Sequence, residues 1–377
     1  MKIAYVHDVI YPYVKGGAEK RVWEISKRLV DRGHEVHVFG MKYWGGDDVL
    51  EHDGVYLHGV CGPKELYVNG KRSIKTSVYF SWKLLSFLEG DFDVIDAQQF
   101  PYFPCFSAKY RSLLGKTPLA ITWHEVWGDY WYEYLGPKGI FGKGIEKWTT
   151  RLPDKIIPVS QKVMGDLCSI GVDEDNMEMV PNGVDISEIQ KINGVKGLYD
   201  VLYAGRLLEH KNVDLLLKAI SLIRDYLPSV KCGIIGDGPE RERLSRLARD
   251  LNLERNIEFL GFLERYEDVI ATMKSSKVFV LPSTREGFGI VLLEANACGL
   301  PAIVVKSERN AAFDLIDVGL NGFVCDLSAE SMAKAILKVL AGDSYEYIST
   351  SSKNIAKKYD WAAITNKIEL LYDEMAR

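Results

Sequence analysis

Residues 278–305, VFVLPSTREGFGIVLLEANACGLPAIVV, read as strand, glycine-containing loop, helix, turn and strand in immediate succession. A strand followed by a helix and a second strand builds a parallel sheet covered by helices. Ligands of such open sheets sit beyond the carboxyl ends of the strands, which puts the TREGFG loop on the ligand side. Glu286 and Glu294 are eight residues apart, and a helical path between them would span about 12 Å. That is the scale of a hexose-diphosphate-ribose unit. Between the two acids, the backbone N–H groups of Phe288, Gly289, Ile290 and Val291 fall at a helix start and form a natural phosphate cradle. A plainer reading also fits: Glu286 favours the helix N-terminus through its charge, and Glu294 is simply exposed.

Upstream, DVLYAGRLLEHKNVDLLLKAISLI, residues 200–223, runs from a strand through a loop into a helix beginning near Asn212. Arg206 and Lys211 flank that helix start, where the macrodipole disfavours cations and a bound anion would remove the conflict. Two cations on a diphosphate would stabilise the charge that develops as a nucleotide leaves. The plainer reading is a pair of solvated loop bases.

The strand-helix rhythm extends through the chain. KIAYVH, EVHVFG, VYLHGV, DVIDAQ, LAITWH and KIIPVS recur in the first half, then DVLYAG, KCGIIG, IEFLGF, VFVLPS, AIVVK and FVCDL. The fold class is therefore α/β with parallel sheets. Strand signals pause between Pro181 and Tyr199, which places a boundary there: an N-terminal domain over residues 1–185 and a C-terminal domain over 186–359. The closing segment WAAITNKIELLYDEM carries Trp361, Ile364, Ile368 and Leu371 at helical spacing and needs a surface to cover. With 377 residues, 47% of them hydrophobic, the chain can bury two such cores.

In the first half, Gly16 and Gly17 precede an amphipathic helix. Glycines there let the backbone approach a ligand, although a turn needing positive φ would use them equally. His124 ends the run LAITWH on the carboxyl rim of a strand. It could donate to a sugar hydroxyl or stabilise charge near a reacting carbon, or it could be structural. Asp91 and Asp93 form a DxD, but DFDVIDAQQ sets it at the amino end of a strand, where a solvated strand start is the better reading. No required metal is expected. GxGxxG, GxSxG, HExxH and Walker A patterns are absent, which argues against a nicotinamide dehydrogenase.

The formal charge of −5 is too mild for electrostatic capture of nucleic acid, and none is expected as a partner. The six cysteines show no metal-ligand spacing and read as buried thiols of a reducing compartment. With no signal-peptide pattern and no apolar run long enough to span a bilayer, the expectation is a cytoplasmic protein, at most peripheral at the inner membrane face.

Together, GGAEK, TWHE, PNGVD, YAGRLLEHKN, GIIGDGPER, FLGFL and EGFGIVLLEANACGLP occur in the order seen in retaining nucleotide-sugar glycosyltransferases of the GT-B fold, and the chain resembles family 4 over nearly its whole length. The resemblance implies two Rossmann-like domains facing each other across a cleft, the first for the acceptor and completed by a C-terminal helix of about residues 360–377, the second for the donor. It assigns Arg206 and Lys211 to the diphosphate, Glu286 to the donor hexose, Glu294 to the ribose and Leu263 to the base. His124 matches a histidine near the donor sugar, and Gly17 the glycine loop facing the reaction centre. Retention of anomeric configuration is also implied by the resemblance, with no cofactor beyond a UDP- or GDP-sugar donor. No carboxylate is evident as a covalent nucleophile, so same-face substitution assisted by a donor phosphate oxygen is the expected route. Where the family often has a glycine pair after AIVV, this chain has KSERNAAFDLI, residues 306–316, which bears on hexose selectivity.

The acceptor is expected to be a glycan or a lipid-linked molecule. Residues 64–83 carry Lys64, Lys71, Arg72, Lys75 and Lys83 among aromatics, and residues 127–148 contain Trp127, Tyr130, Trp131, Tyr132, Tyr134 and Trp148. Such surfaces suit an anionic membrane or a lipid diphosphate, and equally a solvated basic face beside a packed aromatic cluster. A sugar-nucleotide epimerase of the same fold, or a non-catalytic nucleotide-sugar-binding subunit, would share the donor features.

Overall fold

Every β-branched run read from the sequence forms a strand in the computed structural model, which describes all residues except 69, 70, 89, 195 and 196. Two of these, Asn69 and Gly70, fall in the basic-aromatic stretch, and Val195 and Lys196 fall in the segment read as a boundary; they lie outside the described residues. The chain divides into a first unit, Met1–Asn182 with Trp361–Arg377, and a second unit, Gly183–Asp360.

The first unit is built on strands β1 (Lys2–Val6), β2 (Glu35–Met41), β3 (Val49–His52), β4 (Val55–Cys61), β7 (Val94–Gln98), β8 (Leu119–Trp123) and β9 (Lys155–Pro158), with a short separate hairpin of β5 (Tyr67–Val68) and β6 (Lys71–Arg72). Its sheet order is β3-β4-β2-β1-β7-β8-β9, parallel except where β3 folds back on β4. The helices are α1 (Gly17–Asp31), α2 (Ile74–Phe87), α3 (Phe103–Gly115), α4 (Tyr130–Leu135), α5 (Gly139–Thr149) and α6 (Gln161–Ser169). Strand order reverses direction between β1 and β7, the kind of switch point where open sheets bind ligands.

The C-terminal helix, Trp361–Met375, covers this unit as its apolar stripe requires. Trp361, Ile364, Ile368 and Leu371 are buried with Ile25 and Leu29 of α1. Tyr372 fastens it further: its hydroxyl donates to Asp96 Oδ2 at 2.5 Å, and the same carboxylate accepts from Thr122 Oγ1 at 3.0 Å. Burial nevertheless raises the Asp96 carboxyl to about 6.

The second unit uses β10 (Tyr199–Ala204), β11 (Cys232–Ile235), β12 (Ile257–Gly261), β13 (Ser276–Leu281), β15 (Ala302–Val305) and β17 (Gly322–Cys325). They form an all-parallel sheet in the order β12-β11-β10-β13-β15-β17. Two further short strands, β14 (Arg285–Glu286) and β16 (Arg309–Asn310), pair apart from it. The helices are α7 (Ile186–Lys191), α8 (Val213–Arg224), α9 (Arg241–Asp250), α10 (Tyr266–Lys274), α11 (Ile290–Ala297), α12 (Ala329–Leu340) and α13 (Tyr345–Ala356). In α8, Val213, Leu216, Leu217, Ile220 and Ile223 are buried, the stripe expected of a helix lying on a sheet. Here the switch point falls between β10 and β13, whose following loops carry YAGRLLEHKN and TREGFG.

Candidate active site

At the second unit's switch point, Lys211 ends a turn of 3-10 helix, Glu209–Lys211, and Asn212 follows at φ 48°, reversing the chain into α8. Asparagine tolerates this left-handed conformation better than most residues. Its Nδ2 donates to the carbonyls of His210 at 3.0 Å and Pro282 at 3.1 Å, and Thr284 N donates to the His210 carbonyl at 3.0 Å. The loop after β10 is thereby stitched to the loop after β13. Lys211 Nζ consequently meets Glu286 Oε1 at 2.5 Å, with each side chain only 15% exposed. The cation at this helix start thus has a carboxylate of the chain itself as partner. His210, half-buried beside Lys211 and Arg285, is pushed down to about 4, chiefly by desolvation.

The path from Glu286 to Glu294 is not one helix, contrary to the 12 Å reading. Glu286 lies in β14, and α11 begins only at Ile290. The reason is Gly289, whose φ of 98° turns the chain before the helix starts. A Cβ on Gly289 would also lie 2.8 Å from Ala312 Cβ, so two constraints select glycine there. Gly289 supplies no side-chain cap. Among the described residues, the amides of Phe288, Gly289, Ile290 and Val291 meet no acceptor, so these first-turn donors are available to an anion.

Glu294 is 7% exposed, which overturns its reading as a surface residue. It points into the unit beside Tyr266, whose phenol pKa is driven upward by burial and then by the Glu294 carboxylate. Leu263 is half-buried two residues beyond β12, on the same rim. Arg206 is exposed in the loop after β10, its carbonyl accepting from Tyr203 Oη at 3.1 Å. The neighbouring GDG segment explains itself sterically. A Cβ at Gly236, φ 124°, would lie 2.0 Å from the Gly205 carbonyl oxygen, so glycine lets two loops touch backbone to backbone.

On the first unit's rim, Gly17 opens α1 just after β1's loop, and Gly16 at the N-cap offers no side chain. His124 directly follows β8 and is half-buried. Its Nε2 lies 2.8 Å from Gln98 Oε1, while Gln98 Nε2 donates to Asp96 Oδ1 at 3.2 Å. With the Gln98 amide so oriented, Nε2 of the histidine carries the proton and Nδ1 is left as an acceptor. Burial, reinforced by Arg21 and His7, holds the ring pKa well below the usual histidine range. Asp91 and Asp93 are exposed, and Asp93 Oδ2 accepts from Lys2 N at 2.6 Å at the amino end of β7.

Several residues of these rims had no sequence signal. Asp8, fully buried two positions beyond β1, accepts from Arg72 Nη2 at 2.5 Å. Glu19, one turn into α1, is raised to about 7, first by burial and then by Asp8. Asn310 binds the KSERNAAFDLI segment down, donating to the Ser283 and Val305 carbonyls at 3.0 Å each. The aromatic stretch divides. Trp127 stacks among Phe100, Trp131 and Tyr134 over the buried Glu146, whereas Tyr132 and Trp148 are 42% and 62% exposed. Lys64, Lys71 and Lys83 lie over the rings of Tyr79, Tyr134 and Trp82. Of the cysteines, Cys168 is exposed and Cys61 half-buried, so the reading of all six as buried fails at these two. Among the described residues no helix is long and apolar enough to cross a membrane.

The glycosyltransferase family 4 description matches residues 15–188, and the description of glycosyl transferases group 1 matches residues 185–359. A phosphatidyl-myo-inositol mannosyltransferase of Mycobacterium leprae is 24% identical over 380 residues, covering 98% of this chain and 96% of the relative. Sucrose-phosphate synthase from Thermosynechococcus elongatus superimposes with a TM-score of 0.82 at 20% identity, covering 99% and 98% of the two chains. The Anabaena HepE protein, in complex with UDP-glucose, does so with a TM-score of 0.75 at 21% identity, covering 99% and 100%. With one match following directly on the other along most of its length, and a switch point in each parallel sheet, the chain belongs to glycosyltransferase family 4 and has the GT-B fold.

Proposed function

We propose that this glycosyltransferase moves a hexose from a UDP- or GDP-sugar to a glycan or lipid-linked acceptor, with retention of configuration and without a required metal. The observation that carries the reading is the meeting of Lys211, Glu286 and the open amides of residues 288–291 at one switch point. Lys211 and Arg206 hold the diphosphate and stabilise its charge as the nucleotide leaves. Glu286 accepts hydrogen bonds from hexose hydroxyls, Glu294 binds the ribose, and backbone groups at Leu263 meet the base. UDP-glucose in the Anabaena neighbour supports a nucleotide-sugar donor.

The acceptor hydroxyl attacks from the face that the nucleotide leaves, and a phosphate oxygen of the donor takes its proton. His124, held neutral, accepts a hydrogen bond from a substrate hydroxyl through Nδ1, and Gly17 keeps the backbone at its rim accessible. The test is a thermal-shift screen of purified protein against UDP, GDP, ADP and CMP with their common sugar conjugates. A selective rise with one nucleotide and its sugar is expected, since a ligand binding only the folded state stabilises it. Release of free nucleotide only when an acceptor is present would distinguish a transferase from an epimerase. No rise with any nucleotide at millimolar concentration would overturn the reading.

A further inference from the structure

The first unit contains an apolar pocket that the donor chemistry does not use. Its cavity volume is about 160 Å³; it is partly open to solvent and lies among the start of α2, the start of α3 and helices α4 and α5. Its lining includes Ile74, Phe100, Phe103, Leu135, Phe141 and Ile145. This volume is smaller than the roughly 300 Å³ or more of sites that enclose a whole small molecule, and suits part of a single hydrocarbon chain.

Three polar side chains around the pocket are already engaged. Ser77 Oγ donates to the Pro101 carbonyl at 3.3 Å, Tyr102 Oη to Glu146 Oε1 at 2.8 Å, and Ser73 Oγ caps α2 by accepting from Thr76 N at 3.3 Å. A sugar entering here would give up hydrogen bonds to water and find few replacements, whereas hydrocarbon would gain by leaving water. Ile74 and Phe141 stand 56% and 71% exposed, which extends the apolar surface outward.

One side of the pocket is basic. Arg72 lines it and also reaches the rim of β1 through its bond to Asp8. Lys71 and Lys75, on either side of Arg72 in sequence, are exposed. Residues 64–83 hold five bases and one acid in a chain of net charge −5, so positive charge is concentrated beside the apolar opening. A guanidinium fork can share its donors between a carboxylate and a phosphate.

We propose that this pocket takes one hydrocarbon chain of a phosphate-bearing amphiphile, whose phosphate meets Arg72, Lys71 and Lys75, and that this amphiphile is the acceptor. The role as acceptor rests on the transferase reading; binding to the pocket does not.

The experiment titrates the full-length protein with dodecyl phosphate below its micelle concentration, following heat and tryptophan fluorescence. Dodecyl maltoside and inorganic phosphate supply the chain and the anion separately. Expected are one-to-one binding of dodecyl phosphate at least tenfold tighter than either control, and a tenfold or greater loss in both Ile74→Asp and Leu135→Trp. Arg72→Lys should weaken dodecyl phosphate and leave dodecyl maltoside unchanged, and Arg72→Gln should weaken it further. Ile74 is exposed, so its substitution tests the pocket even if Leu135→Trp folds poorly. Binding no tighter than that of inorganic phosphate, or unaltered by Ile74→Asp, would overturn the proposal. So would a concentration-dependent dimer abolished by Ile74→Asp while dodecyl phosphate fails to bind, because a second copy would then be the occupant. Nucleotide binding by the same protein separates the two readings: nucleotide without amphiphile refutes the pocket, and amphiphile without nucleotide refutes the transferase.

Discussion

Lys211 Nζ and Glu286 Oε1 are 2.5 Å apart, joining two loops that are 75 residues apart in sequence. The pair orients both side chains at the rim, and each is assigned to the bound donor. Lys211→Ala and Glu286→Gln are each expected to lower kcat by about 10²–10³ fold, the usual cost of removing one preorganised electrostatic group. The double variant should lose much less than the product of the single losses, because the residues act as a unit. Steady-state kinetics beside a melting curve checks this. Near-normal turnover in either single variant, with folding intact, would remove that residue from the site.

Since the His124 ring is held neutral, its protonation should not shape the acid limb of the activity profile. His124→Gln is expected to reduce kcat about tenfold or more, and the limb between pH 5.5 and 7 should keep its position. A wild-type limb in that range that vanishes in the variant would show that the histidine titrates there.

Much of this architecture was legible because alternating β-branched runs and amphipathic helices are local signals. VFVLPS and the helix after TREGFG could be read directly. That Glu286 lies in a strand ahead of this helix could not be read, since it pairs with Asn310 in a two-stranded ladder that depends on a segment some twenty residues later. Asp8 with Arg72 was invisible for the same reason: residues 64 apart meet only after the sheet has formed. Glu294 read as either ligand or surface because its burial depends on Tyr266, a residue of another helix. The residues assigned to the donor lie in short contiguous motifs, whereas the surroundings that set their charge and orientation arise from tertiary contacts.

Gly289→Ala should damage the phosphate cradle without touching any charge. The variant must accommodate both φ 98° and a Cβ 2.8 Å from Ala312 Cβ. A cost of about 1–3 kcal/mol is expected for holding a non-glycine residue in a strained conformation. Isothermal titration with the cognate nucleotide should show weaker binding, while removing the Ala312 methyl through Ala312→Gly should restore part of it by relieving the clash but not the torsion. Unchanged nucleotide affinity in Gly289→Ala would mean that the first-turn amides do not hold the phosphates.

Charge stabilisation of the leaving diphosphate is assigned to Lys211 and Arg206, so a chelator should leave most transfer activity in place. The assay compares rates before and after excess EDTA, with divalent ions added back. Complete loss, reversed by one metal, would overturn the metal-independent reading and reopen the search for its ligands.

Glu19 provides a pH-dependent prediction for stability. Burial raises its carboxyl from 4.5 to about 7, so the folded chain binds that proton more tightly than the unfolded chain. The associated stability is fully present below about pH 4.5 and is lost as pH rises through 7. Glu19→Gln cannot ionise and should remove this slope. Its unfolding midpoint, compared with wild type in urea, is therefore expected to shift in the variant's favour between pH 5 and pH 8. Any constant offset from the altered hydrogen bonds cancels in that comparison, because the readout is the change of the difference with pH. Asp96, also raised by burial, slopes in the same direction in both proteins and cancels as well, whereas Asp8 interacts with Glu19 and its share of the slope belongs to the pair. Parallel curves across this range would show that Glu19 titrates as an ordinary solvated carboxylate.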